Sequence, residues 1–112
     1  MGCAICGLPY VEEAHTKSRC TFCDLDPDHK WANIIPFCPS HHTDFDRGLV
    51  GIFPDKSRFL LDDGKGNLRV VESRENIHHI KDDYVSWKNS YCTIFIRIRL
   101  GLVLGLLNLS WA

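Results

Sequence analysis

Residues 33–48 read NIIPFCPSHHTDFDRG, and the fold turns on how this stretch is divided. The apolar run 34–37 predicts a short strand. Pro39 suits the first position of a helix, where its missing N–H leaves nothing unsatisfied. Gly48 suits the residue just past the helix end, where a left-handed backbone is needed. The sequence therefore predicts strand 34–37 followed by helix 39–47. On that helix His42 and Asp46 stand at i and i+4, on one face, where an imidazole and a carboxylate can share one metal ion. Cys38 and His41 fall where strand turns into helix, a suitable place for a zinc ligand pair.

The chain has 112 residues, enough for one domain. A core of that size is modest, and small domains often add a metal or disulfides. The net charge of −1 carries no broad electrostatic footprint for nucleic acid. Met1-Gly2-Cys3 leads straight into a Cys-x-x-Cys knuckle, so no signal peptide is expected and the expected location is cytoplasmic. Six cysteines in that setting favour metal over disulfides. The apolar tail 100–112 is about half the length that spans a bilayer, so no membrane segment is expected.

Outward from the central stretch, 11–15 predicts a strand that pairs with 34–37, leaving 16–32 as a long loop carrying Cys20-x-x-Cys23. Beyond Gly48, 50–53, 57–61 and 68–71 read as strands, with DDGKGN (62–67) as a hairpin turn. Ser73 is a candidate N-cap. From Arg74 onward, Ile77, Ile80, Tyr84, Trp87, Tyr91, Ile94 and Ile98 fall at steps of three and four, which predicts one long amphipathic helix. The fold class expected is α+β: a zinc-stapled hairpin and helix over residues 3–53, then a second hairpin and a long C-terminal helix over 54–112, all in a single domain 1–112.

Two constellations carry chemistry. Cys3, Cys6, Cys38 and His41 form two x-x knuckles that can close a tetrahedral zinc site, structural because protein fills all four positions. Cys20 and Cys23 have three open readings: zinc ligands in place of Cys38 and His41, part of a second site, or unliganded. The second constellation is His15, Asn33, His42 and Asp46. A neutral imidazole at His15 can take a proton from water near neutral pH, and that water can attack a phosphodiester. A divalent ion on His42, with Asp46, would stabilise the charge on phosphorus and on the leaving 3′ oxygen. Asn33 can tie the loop backbone through its side chain and hold His15 in register. A lone strand-end histidine is ordinarily just solvated; the combined pattern gives His15 a role.

The order His15, Asn33, His42 resembles the HNH endonuclease family. The match is AHTKSR followed by NIIPFCPSHHTDFDRGLVGI, and it is similar to the branch whose last histidine precedes Phe-Asp-x-Gly-Leu, here 45–49. The resemblance covers residues 3–53. It implies a ββα-metal fold, with His15 as general base, Asn33 structural, His42 on a divalent ion such as Mg²⁺, and a prokaryotic restriction or phage-associated setting. Many members place a metal ligand directly before the base histidine; Ala14 stands there in this chain. Glu12 shares the strand face of Ala14, and Glu13 takes the opposite one.

The second half offers no motif. His78 and His79 read as solvated helix-face residues, and Tyr84, Trp87 and Tyr91 as core. Lys17, Arg19, Arg47, Lys56 and Arg58 are candidate phosphate contacts, though charged residues more often simply solvate a face. Three function classes follow. The first is a metal-dependent endonuclease acting on DNA, with RNA as the alternative substrate. The second is a zinc-stapled nucleic-acid-binding module without cleavage. The third is a structural zinc domain that self-associates or binds a protein partner through its C-terminal helix and tail.

Overall fold

A computed structural model describes residues 2–17 and 31–92. Cys20 and Cys23, the expected helix beyond residue 92 and the apolar tail lie outside the described residues. Strand β1 (Glu12–His15) pairs antiparallel with β2 (Ile34–Phe37), setting Ala14 opposite Ile35 and His15 opposite Ile34. A single 3-10 turn, Trp31–Asn33, feeds β2. Helix α1 (Pro39–Asp46) follows with Pro at its start and Arg47 as C-cap. Gly48 then takes φ +77°, the left-handed conformation in which a Cβ would be strained. Strands β3 (Val50–Ile52), β4 (Arg58–Asp62) and β5 (Leu68–Glu72) form an antiparallel meander. The Asp63 carboxylate accepts from the Lys65 and Asn67 backbone N–H groups and closes the β4–β5 turn.

The core lies between α1 and the two sheets. Phe37 of β2 sits 5.0 Å from Phe45 of α1 and 5.6 Å from Phe59 of β4, ring centre to ring centre, and all three are fully buried. Phe45 is the one buried residue of α1, so a single aromatic ring anchors the helix. Lys88 also lies over the Phe45 ring, its Nζ 4.3 Å from the centroid. Burial pushes the Lys88 ammonium below its ordinary pKa, against the opposing pull of Asp46.

The second helix departs from expectation. Helix α2 runs Asp82–Ser90, and residues 74–81 are not helical. Ile77, Ile80 and Tyr84 are buried as their spacing requires, but local hydrogen bonds hold the first two in turns. The Asn76 carboxamide accepts from the His78 N–H, and Ile80 N–H donates to the Ile77 carbonyl. Ser73 does not cap a helix; its hydroxyl donates to the Glu75 carbonyl. The N-cap is Lys81, followed by Asp82 and Asp83 in the first turn, where carboxylates suit the helix dipole. Asn76 competes with helical bonding as asparagines commonly do. Asn89 then docks α2 on β3, its side chain accepting from Ile52 N–H and donating to Ile52 C=O. Among the described residues no helix is long and apolar enough to cross a membrane.

Phe37 joins strand, helix and meander. Phe37→Ala is expected to lower the unfolding free energy by about 3–5 kcal/mol, read from denaturant titration. Tyr91→Ala, at a position 63% exposed, should leave the midpoint nearly unchanged.

Candidate metal centre and catalytic face

The N-terminal knuckle is a tight turn: Gly7 N–H donates to the Cys3 carbonyl and Cys3 N–H to the Leu8 carbonyl. Gly7 allows it with φ +79°. The knuckle docks on β2 through Ala4 N–H to the Pro36 carbonyl at 2.9 Å. This brings Cys3 and Cys6 to the β2–α1 corner, where Cys38 is the helix N-cap and His41 lies in the first turn. The four ligand atoms all fall within 4.8 Å of one another. Cys3 Sγ is 3.6 Å from His41 Nδ1, Cys38 Sγ is 3.3 Å from the same nitrogen, and Cys6 Sγ is 3.8 Å from Cys38 Sγ. Sulfur and nitrogen ligands of a tetrahedral zinc lie about 3.5–3.8 Å apart, from Zn–S near 2.3 Å and Zn–N near 2.0–2.1 Å. Three thiols and one imidazole at these separations fit such an ion, and the cluster can hold zinc. None of these cysteines is in a disulfide. Burial raises the Cys3 thiol, but the backbone N–H groups of Cys38, Cys6 and Ile5 outweigh it and bring its pKa to about 6. Burial and the neighbouring sulfurs push Cys6 the other way. The lowered pKa of Cys3 favours its thiolate, the form that binds metal.

His42 is adjacent to His41 but serves another surface, because successive helix residues point about 100° apart. Its Nδ1 lies 2.7 Å from Glu12 Oε1 and its Nε2 3.4 Å from Asp46 Oδ2. The Glu12 carboxylate can only accept, so the Nδ1 proton faces it. In the neutral ring Nε2 then carries the lone pair, on the Asp46 side. Glu12, Asp46 and His42 are all open to solvent in part.

Asn33 is fully buried beside the exit of β1. Its side chain accepts from Lys17 N–H at 2.6 Å and donates to the Lys17 carbonyl at 2.7 Å. Its backbone carbonyl accepts from Thr16 N–H at 2.8 Å. Three hydrogen bonds therefore fix the two residues that follow His15, and His15 itself is half-buried at the end of β1, in register with Ile34.

The structure thus gathers Cys3, Cys6, Cys38 and His41 at one corner, sets His42 against Asp46 on the outer face of α1, and ties Asn33 to the turn after His15. Ala14 is fully buried against the core. Glu12, two residues back on the same strand face, is the residue that reaches His42; the period of two along β1 is the signal that points to it. His79 departs from the helix-face reading, for it precedes α2 and its Nε2 lies 3.0 Å from the Ile34 carbonyl. Of the candidate phosphate contacts, Lys56 pairs with Asp82 at 2.7 Å, Arg58 lies over the Phe53 ring at 4.2 Å, and Arg19 is outside the described residues.

Residues 3–53 match the family model described as HNH endonuclease. Among solved structures, the chain is similar to a protein titled "Modification dependent TagI restriction endonuclease", with a TM-score of 0.56 and 24% identity. The match covers 80% of this chain and 32% of that one, so the chain spans about a third of that protein's length. This likeness is one of fold. No curated protein matches the chain.

Cys38→Ser is expected to lose one equivalent of zinc relative to wild type, by elemental analysis, and to melt at a lower temperature. Cys92→Ala, whose thiol instead donates to the Gly48 carbonyl, should keep its zinc.

Proposed function

From the match of residues 3–53 to the HNH endonuclease family model, we propose that this chain is a metal-dependent endonuclease that hydrolyses phosphodiester bonds in DNA. The observation that carries the reading is the pairing of His42 with Asp46 on one side and Glu12 on the other, beside a β1 exit pinned by Asn33. The proposed ligands of a structural zinc are Cys3, Cys6, Cys38 and His41. In the reaction, His15 accepts a proton from water as the water oxygen forms its bond to phosphorus; the bond from phosphorus to the 3′ oxygen then breaks, and that oxygen departs with the bonding pair and takes a proton from solvent water. Asn33 holds the Thr16–Lys17 backbone so that the His15 ring keeps its direction. His42 and Asp46 supply the donors for a divalent ion such as Mg²⁺. When bound, that ion neutralises charge on the phosphate and on the departing oxygen. Glu12 fixes the ring of His42 and raises its basicity, as carboxylates behind metal-bound histidines do. Reduced cysteines suit a cytoplasmic setting.

A second reading, a zinc-stapled binding module without cleavage, draws on Ala14, which leaves the position before His15 without a ligand. Supercoiled plasmid separates the two. Wild-type protein loaded with zinc should nick it in Mg²⁺ or Mn²⁺, and His15→Ala should slow nicking by roughly 10²–10⁴-fold. DNA retardation with no nicking under any divalent ion, by folded protein, would overturn the nuclease reading. Single-stranded RNA run alongside tests the alternative substrate.

Glu12→Ala leaves both donors of the His42–Asp46 pair in place. It should weaken Mn²⁺ binding by roughly 10–100-fold, measured calorimetrically with the cysteine cluster kept filled by zinc.

A further inference from the structure

Strand β2 has β1 on one edge, and among the described residues no strand covers its other edge. On that second edge the carbonyls of Ile34 and Pro36 face outward, and the carbonyl of Ala32, in the 3-10 turn that feeds β2, continues the same line of alternate residues. Each has a donor, and none of the three comes from a strand. Lys81 N–H donates to Ala32 at 3.1 Å, Ala4 N–H to Pro36 at 2.9 Å, and the His79 side chain, through Nε2, to Ile34 at 3.0 Å. The His79 ring also packs on Trp31, with centroids 4.7 Å apart and planes 35° from parallel. Trp31 opens the 3-10 turn that ends in Asn33. Residues 79 and 81 therefore grip both sides of Asn33, through Ala32 before it and Ile34 after it. Ile34 is also the register partner of His15.

We propose that His79 is a positioning residue of the nuclease site. Its imidazole stands in for the N–H of an absent third strand at Ile34, and so keeps Asn33 on the Lys17 backbone and His15 in register. The inference rests on the nuclease reading above. It places part of the active-site support outside residues 3–53, in the segment before α2. A side-chain donor is used because residues 74–81 turn rather than extend, and no backbone N–H of that segment serves the Ile34 carbonyl.

Two variants and two readouts test this. His79→Phe keeps a ring against Trp31 and removes the donor; His79→Gln keeps an N–H donor. Amide hydrogen exchange reads the support directly, at Thr16 and Lys17, with Asp62, bonded to the Leu49 carbonyl, as an internal control. His79→Phe should speed exchange at Thr16 and Lys17 roughly tenfold relative to Asp62, as expected when a carbonyl loses its partner. His79→Gln should restore it. In nicking assays His79→Phe should lower kcat by a similar factor with KM unchanged, and His79→Gln should recover most of it. Unchanged exchange at Thr16 and Lys17 in His79→Phe overturns the proposal, as does wild-type kcat in that variant. If wild-type protein cleaves nothing, the nuclease reading fails by itself, and the exchange comparison still decides whether His79 holds this turn.

Discussion

A buried strand must satisfy the hydrogen-bonding groups on both of its edges, and among the described residues β2 has a strand on only one. The rest of the structure is arranged to cover the other. The N-terminal knuckle reaches it through Ala4, and the segment before α2 reaches it through His79 and Lys81. Pro36 is tolerated because its missing N–H falls on this outer edge, where no strand ladder requires it. The knuckle carries Cys3 and Cys6, so covering the edge also delivers two thiols to Cys38 and His41. Satisfying β2 and assembling the metal cluster are one structural event.

The meander repeats the device. Ile52 on the outer edge of β3 meets the Asn89 carboxamide, which accepts from one backbone group and donates to the other. A primary amide mimics a strand residue because it offers both roles in one plane. His79 and Asn89 thus bind the C-terminal segment to both sheets through side chains, and Lys88 adds its contact with Phe45. The core residues Ile77, Ile80, Tyr84 and Val85 fill in beneath these bonds. The helix end bearing Asp46 is consequently backed by α2, even though α1 contributes only one buried side chain of its own.

Much of this was legible from residue order. The strand expected at 34–37, the one expected at 11–15 and found at Glu12–His15, the helix from Pro39 and the β4–β5 turn follow from local signals: an apolar run, proline at a helix start, glycine past its end, aspartates and glycines in a turn. The two knuckles were legible because zinc imposes a spacing. The start of α2 was not. Ile77, Ile80 and Tyr84 are buried at helical intervals, but burial at such intervals requires only that the side chains face one core, and two successive turns achieve that as well as a helix does. Asn76 was the local cue, since its side chain competes for backbone N–H groups. The roles of His79 and Asn89 were illegible for a different reason. A side chain that completes the edge of a remote strand leaves no periodic trace, because its partner lies about forty residues away and is a backbone group that any residue provides.

The position of Ala14 sharpens the chemistry of the site. That residue is fully buried opposite Ile35, so a charged ligand there would have to be desolvated and would be stable only when paired with an ion. Alanine removes that cost and packs the hairpin against the core. Glu12, on the same strand face but at its open end, reaches His42 from the opposite ring nitrogen and so orients the imidazole without lying on the Asp46 side. On the proposed reading His42 and Asp46 of α1 would be the side-chain donors to a divalent ion, which would neutralise charge on a bound phosphate. The hairpin core at Ala14 is thus closed by apolar packing alone, and the cluster that can hold zinc is a separate one, reached through His41 and not through its neighbour His42.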